Sequence, residues 1–428
     1  MSIKVMMIHG TFASDAQWVM PDSITSQRVS QQIAETSSVE AFRWSGANSF
    51  VERLKAAREL VQLMERAPTD TRYILIAHSH GGSVVHYAYR LAPALFERVL
   101  GVACMATPFF GFSVRPGYGA LFVAIMVVFT VLLMHALMTV IMVVSKKLSW
   151  NFDDGLIAPL SAAALVMAFV LALATALFKN RHRLYSWLGR GIAEVTQWDT
   201  TNIQVPRVAI FRSMGDEVAL GLSTGQFLIT LANRILGGMA SMAEALRRLV
   251  ARWAANWAGR GALLVFGSFT AFAAALPGAI QVSLGLNLDD FRLFMWIFQR
   301  DLGCSIDDHP VLTYVVCIPF QLCIWLDMLV VIGAILLSAM FLTGWLVSFL
   351  VLRLFGAWSP TAALTTVFAI EPTPEGLHSF CNTGWSRDAG KLEQERPLLQ
   401  HSDPYSSVAA LDALCLWVAI VSKAEPYA

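Results

Sequence analysis

The first 110 residues alternate short apolar runs with segments of helical spacing. Ile3 to Ile8 is an apolar run that ends in His9-Gly10. Val39 to Trp44 predicts a second strand. From Phe50 to Glu65, Val51, Leu54, Ala57, Leu60, Val61 and Met64 recur every three or four residues, the spacing of one helix face. Tyr73-Ile74-Leu75-Ile76-Ala77 is apolar without alternation, as expected of a strand buried on both faces. The pattern predicts a helix from about Gly81 to Leu91, then a strand from Val99 to Ala106 that Thr107-Pro108 stops. Strand and helix in this rhythm predict an α/β domain with a parallel sheet covered on both faces.

The rhythm then breaks. Ala120 to Val144 and Leu156 to Phe178 are apolar runs long enough to cross a hydrocarbon core of about 30 Å. The soluble pattern resumes in the strand Pro206 to Phe211. Leu231, Ile235, Met239, Met242, Leu246, Leu249, Trp253 and Trp257 then form an apolar helix face, with Arg247, Arg248 and Arg252 largely elsewhere on it. This pattern suits a helix lying in a membrane surface or one facing a core. Gly261 to Leu286 is a third span. Val311 to Phe355 contains Pro319 and Asp327 and has room for one span or two. A last strand, Leu364 to Ile370, and a last helix, Val408 to Val421, follow. Both must return to the sheet, so the number of crossings is even. One span from about Met328 to Phe355 gives a total of four.

The expected division is therefore 1–113 as the first part of the α/β domain and 114–204 as an insertion with two spans. Residues 205–221 bring a strand and loop back to the sheet. Residues 222–362 hold the amphipathic helix and two more spans, and 363–428 complete the domain.

Composition agrees. Hydrophobic residues make up 56% of the 428 and charged residues 14%, where a soluble domain averages about 25% charged. Mean hydropathy is +0.57. A net charge of +1 excludes the strongly basic face of a nucleic-acid binder. Arg115, Lys179, Arg181, Arg183, Arg247, Arg248, Arg252, Arg260 and Arg353 flank spans on one side, against Lys146, Lys147, Arg292 and Arg300 on the other. Excess Lys and Arg marks the cytoplasmic face. This predicts an integral protein of the inner or plasma membrane with its α/β domain in the cytoplasm. No secretory signal opens the chain. The six cysteines form no CxxC pair and read as reduced packing residues; no metal and no cofactor is expected. His135 lies inside the first span, where a titratable group is a functional candidate by default. Asp327 reads as a helix cap or a polar contact in the bundle.

The chemistry centres on Leu75-Ile76-Ala77-His78-Ser79-His80-Gly81-Gly82. An apolar strand enters a tight turn with Ser79 at its tip, and a helix follows. Small residues two before and two after the serine let the strand and helix backbones pass. Such a turn exposes the hydroxyl and aims the His80 backbone N–H at a developing oxyanion. The segment resembles the nucleophile elbow of α/β hydrolases, especially the lipase and GPI inositol deacylase branch, with Ala77 where glycine is more usual.

That resemblance implies the rest of the site. The turn His9-Gly10-Thr11-Phe12 would supply the second oxyanion donor from Thr11 or Phe12. The family order of serine, acid, histidine maps the acid to Asp216, with Glu217 next to it. It maps the base to His401, before the last helix, with His378 as competitor. His9, Gly10 and His78 are candidates for the substrate pocket.

Both insertions leave from the carboxyl ends of strands, the edge where such sheets bind ligands. The expected activity is hydrolysis of acyl esters or thioesters of membrane lipids or lipidated proteins. The alternatives are a membrane sensor or pore with a hydrolase-like scaffold, and an anchored esterase for soluble substrates.

Overall fold

The computed structural model describes residues 2–34, 37–147, 176, 179–200, 205, 207–213, 217–255, 310–371, 382–385 and 408–423. Along the chain these form β1 (Ile3–Ile8), α1 (Ile24–Ser30), β2 (Ser38–Phe42), α2 (Phe50–Arg66), β3 (Arg72–His78), α3 (His80–Leu91), β4 (Val99–Met105) and β5 (Phe109–Val114). Then come α4 (Tyr118–Lys147), α5 (Arg181–Thr196), β6 (Val208–Ser213), α6 (Glu217–Ala255), α7 (Pro310–Leu354), α8 (Pro360–Thr365), β7 (Thr366–Glu371), β8 (Asn382–Trp385) and α9 (Val408–Ser422).

Six strands form one sheet in the order β2-β1-β3-β4-β6-β8, and every neighbouring pair is parallel. The fold is α/β. β3 lies at the centre, and from Tyr73 to Ala77 it is wholly buried. Alternate residues feed opposite cores. Tyr73, Leu75 and Ala77 pack with Leu60 and Met64 of α2 and Val84 of α3. Ile74 and Ile76 pack on the other face with Val29 of α1 and Leu414 and Val418 of α9. This is why the run shows no polar alternation: both faces are covered.

The structure corrects the reading of α2. Val51 is exposed, whereas Phe50, Arg53, Ala57, Leu60 and Met64 are buried. The inward face therefore includes an arginine. Arg53 donates to Asn48 Oδ1 and to the carbonyl of Phe355, each at 2.7 Å, and its guanidinium lies 4.5 Å from the Phe50 ring. Burial without a carboxylate partner lowers its pKa to about 10.

The last predicted strand is also corrected. Leu364 belongs to α8, whose first turn Ser359 caps by accepting from the Ala362 N–H. The strand begins at Thr366 and pairs antiparallel with β5 in a separate two-stranded sheet. The main sheet ends instead in β8. Buried Arg115 fastens the small sheet, donating to the carbonyls of Leu364 and Thr366 and to Asn233.

Among the described residues, one helix is long and apolar enough to cross a membrane, Leu329–Leu354 within α7. Its 26 residues span about 39 Å at 1.5 Å per residue. Only 11% of its most apolar window is buried. α7 itself is continuous from Pro310, so neither Pro319 nor Asp327 interrupts it. The first predicted span falls within α4; the runs 156–178 and 261–286 lie outside the described residues. Four spans are thus not established. Of the amphipathic face, Met239 is buried but Leu231, Met242, Leu246 and Leu249 are exposed, and α6 begins as early as Glu217.

Two compact units result. One takes in 1–115, 188–234 and 345–428 and holds both sheets; the other comprises 116–187 and 235–344. The first unit therefore extends beyond the boundaries expected from sequence, gaining 114–115, 188–204, 222–234 and 345–362.

Candidate active site

Ser79 stands between β3 and α3, at the carboxyl edge of the parallel sheet. Its backbone has φ 52° and ψ −131°, a region that a side chain with a Cβ enters only at a cost of about 1–3 kcal/mol. The Ser79 N–H donates to the Met105 carbonyl at 2.8 Å, and its own carbonyl accepts from Gly82 N–H at 3.0 Å. The strained residue is thus held at both ends. Ser79 is 8% exposed, with its flanking His78 and His80 also buried.

Two glycines make room for the turn. A Cβ on Gly81 would lie 2.7 Å from the carbonyl oxygens of Ile8 and His9, which are backbone atoms of β1 and its following turn. A Cβ on Gly10 would lie 2.8 Å from the Ser79 Cβ. The turn after β1 therefore packs directly against the serine. Ala77 is tolerated two residues earlier: it pairs in register with Ile8 and Cys104, at no exposure.

His9 builds that turn. Trp44 N–H donates to His9 Nε2 at 3.2 Å, so Nε2 is an acceptor and the ring proton sits on Nδ1, which donates to the Gly10 carbonyl at 2.8 Å. Trp44 Nε1–H donates to the His9 carbonyl at 2.9 Å, and the two rings stack 5.5 Å apart. Burial pushes the His9 pKa down. With both nitrogens engaged, His9 orders the loop and does not serve as a base.

The Phe12 N–H donates to the Gly46 carbonyl at 2.8 Å. Of the two candidate oxyanion donors on this turn, Phe12 is thus already committed elsewhere. Sequence reasoning missed the partner loop, Trp44-Ser45-Gly46; its signal was a glycine just past the second strand, here at φ 63°.

His80 is the first residue of α3, and its ring stacks on Phe110 at 5.6 Å. His78 meets the edge of Trp18 at 6.1 Å. His86, six residues further along α3, is fully buried; its Nδ1 bonds to the Gly82 carbonyl at 2.8 Å, and burial lowers its pKa to about 4. It is a structural histidine.

β6 is parallel to β4 and ends at Ser213 on the same edge of the sheet as Ser79. Asp216, His401 and His378 lie outside the described residues. Glu217, the neighbouring candidate acid, is the first residue of α6. Cys104 and Cys415 are buried and neither is in a disulfide. Among the described residues, no three His, Cys, Asp or Glu side chains come together as a metal ligand set.

No protein-family model matches the chain, and no curated protein matches it. Among solved structures, it is similar to "A novel cutinase-like protein from Cryptococcus sp.", at 17% identity and a TM-score of 0.21. The likeness covers 25% of this chain and 53% of that one, about half the neighbour's length.

Proposed function

We propose that the protein is a membrane-associated serine hydrolase that cleaves acyl esters or thioesters of membrane lipids or lipidated proteins. The observation that carries this reading is Ser79, held at φ 52° between the central parallel strand and a helix N-terminus. A strained serine at that place is the geometry of an activated nucleophile. The first N–H groups of a helix lack intrahelical acceptors, so His80 offers one oxyanion donor. Thr11 N–H is the second, since Phe12 N–H is engaged by Gly46.

In this reading His401 removes the Ser79 hydroxyl proton as Oγ attacks the substrate carbonyl, and Asp216 orients and stabilises the imidazolium. The tetrahedral intermediate collapses, the C–O or C–S bond breaks, and His401 returns the proton to the leaving alcohol or thiol. Water then attacks the acyl-enzyme, again deprotonated by His401, releasing the acid and restoring Ser79. The apolar, exposed Leu329–Leu354 supports a substrate drawn from the bilayer. The distribution of Lys and Arg supports a cytoplasmic site.

A fluorophosphonate probe tests the chemistry. The wild type is expected to be labelled and Ser79→Ala unlabelled, with ester turnover lowered by roughly 10³-fold or more. Absence of label on the wild type, or equal label on Ser79→Ala, sinks the proposal and returns the sheet to a scaffold.

A further inference from the structure

Phe12 combines two unfavourable features. Its ring is 85% exposed, and its backbone has φ 56°, where a bulky residue is a genuine outlier. Such a conformation persists only where surrounding contacts impose it. Here they do. Phe12 N–H is bonded to Gly46, and Trp44 grips His9 through both its backbone and its indole N–H. The ring is therefore held out from the protein, on a turn whose Gly10 abuts Ser79.

The same loop reaches the other way, to the end of α7. Asn48 Nδ2 donates to the Leu354 carbonyl at 2.8 Å, Phe50 N–H to Gly356 at 3.3 Å, and Arg53 to Phe355 at 2.7 Å. The first satisfies a carbonyl that the helix end leaves open, and the other two hold the residues just past it. Just before that end, Leu346, Leu350 and Leu354 are exposed. At it, the Arg353 guanidinium lies 3.6 Å from the centre of the Trp358 ring, itself 63% exposed. An apolar helix that terminates in an exposed tryptophan and a cation has the anatomy of a bilayer edge. One short segment, 44–53, thus ties the rim of Ser79 to that edge.

We infer that Phe12 is a lipid-contacting residue, its ring entering the acyl region of the bilayer beside Ser79 while Arg353 and Trp358 set the depth. This deepens the reading of the protein as a membrane hydrolase and rests on it. The occupant is the acyl chain of a bilayer lipid, because the segment that positions Phe12 is fastened to the end of a hydrocarbon-length helix. Phe12 then favours esters presented in a membrane over esters dissolved in water.

The test places p-benzoylphenylalanine at position 12 of the full chain in phosphatidylcholine vesicles. Position 350, on the exposed apolar helix, serves as the lipid-facing reference. Position 70, in the turn before β3 and so on the sheet edge opposite Ser79, serves as the aqueous one. Photolysis is expected to attach lipid at 12 and 350 but not at 70. Adducts at 350 alone overturn the inference and leave the membrane reading standing; adducts at none of the three overturn both. Adducts at all three make the labelling indiscriminate and also overturn it. A second measurement uses Phe12→Asn, since asparagine tolerates a positive φ without offering a ring. The ratio of long-chain ester turnover in vesicles to short-chain ester turnover in water should fall about 10-fold, on the scale of one buried apolar side chain. Phe12→Trp should restore it. Equal loss of both activities points to a disturbed loop and refutes the lipid role. Neither readout is confused with failure of the chemistry, which fluorophosphonate labelling of Ser79 reports separately.

Discussion

β3 and the end of α7 are both nearly pure hydrocarbon in sequence, and they meet opposite fates. Tyr73 to Ala77 is wholly buried between two helical layers. Leu346, Leu350 and Leu354 are exposed on a helix whose apolar window is 11% buried. The difference is one of solvent. The strand's free energy of burial is realised inside the protein, and its packing must be jigsaw-close. Among the described residues the helix has few protein partners along much of its surface; on the proposed reading its apolar side chains meet lipid, where neighbours are fluid and interchangeable. Hydrophobicity alone therefore does not say where a segment's stability resides; length and periodicity come closer.

Truncation should separate the two regions most sharply. Leu75→Ala is expected to destabilise the protein by about 4 kcal/mol, through lost transfer energy and a cavity. Leu350→Ala should cost under about 0.5 kcal/mol, as for a surface site. Unfolding of the full chain in detergent measures both; similar costs would erase the distinction.

Acid should reveal the same division next. His86 titrates at about 4 in the folded protein because burial disfavours its charged form, against about 6.5 when unfolded. As pH falls below 6.5 the unfolded chain gains a proton that the folded one refuses. Its contribution is thus full above 6.5 and lost progressively down to about 4, amounting to about 3 kcal/mol. His86→Asn, which retains a donor for Gly82, should remove that slope.

A further effect, smaller than those of Leu75 and His86, concerns the Trp358 ring, over which the Arg353 guanidinium lies. A double-mutant cycle of Arg353→Ala and Trp358→Ala in vesicles is expected to give a coupling of about 1 kcal/mol. A coupling indistinguishable from zero would deprive the helix end of its interfacial anchor.

The sheet was legible where apolar runs were short, continuous and bounded by turn residues, as in β1, β3 and β4. The serine at the turn was legible because strand, small residues and helix follow one another locally. β5 was hidden by Thr107-Pro108, which reads as a stop, and its partner β7 is remote in sequence. β8 is Asn-Thr-Gly-Trp, four residues with no apolar run. Arg53 was overlooked because an arginine on an inward face violates the polarity rule that defines the face. The loop at Trp44 and Gly46 owes its role to hydrogen bonds with His9 and Phe12, and pairwise contacts between distant turns leave no periodic trace.

The Arg115 bond to Thr366 joins residues 251 positions apart. During synthesis, β5 emerges early and then waits for its partner. At about 5–20 residues per second, translation needs roughly 10 to 50 seconds to cover that interval. Every long apolar segment leaves the ribosome within it. On the proposed membrane reading, insertion can therefore begin while the small sheet is still open, and that sheet closes only after residues 366–371 have emerged.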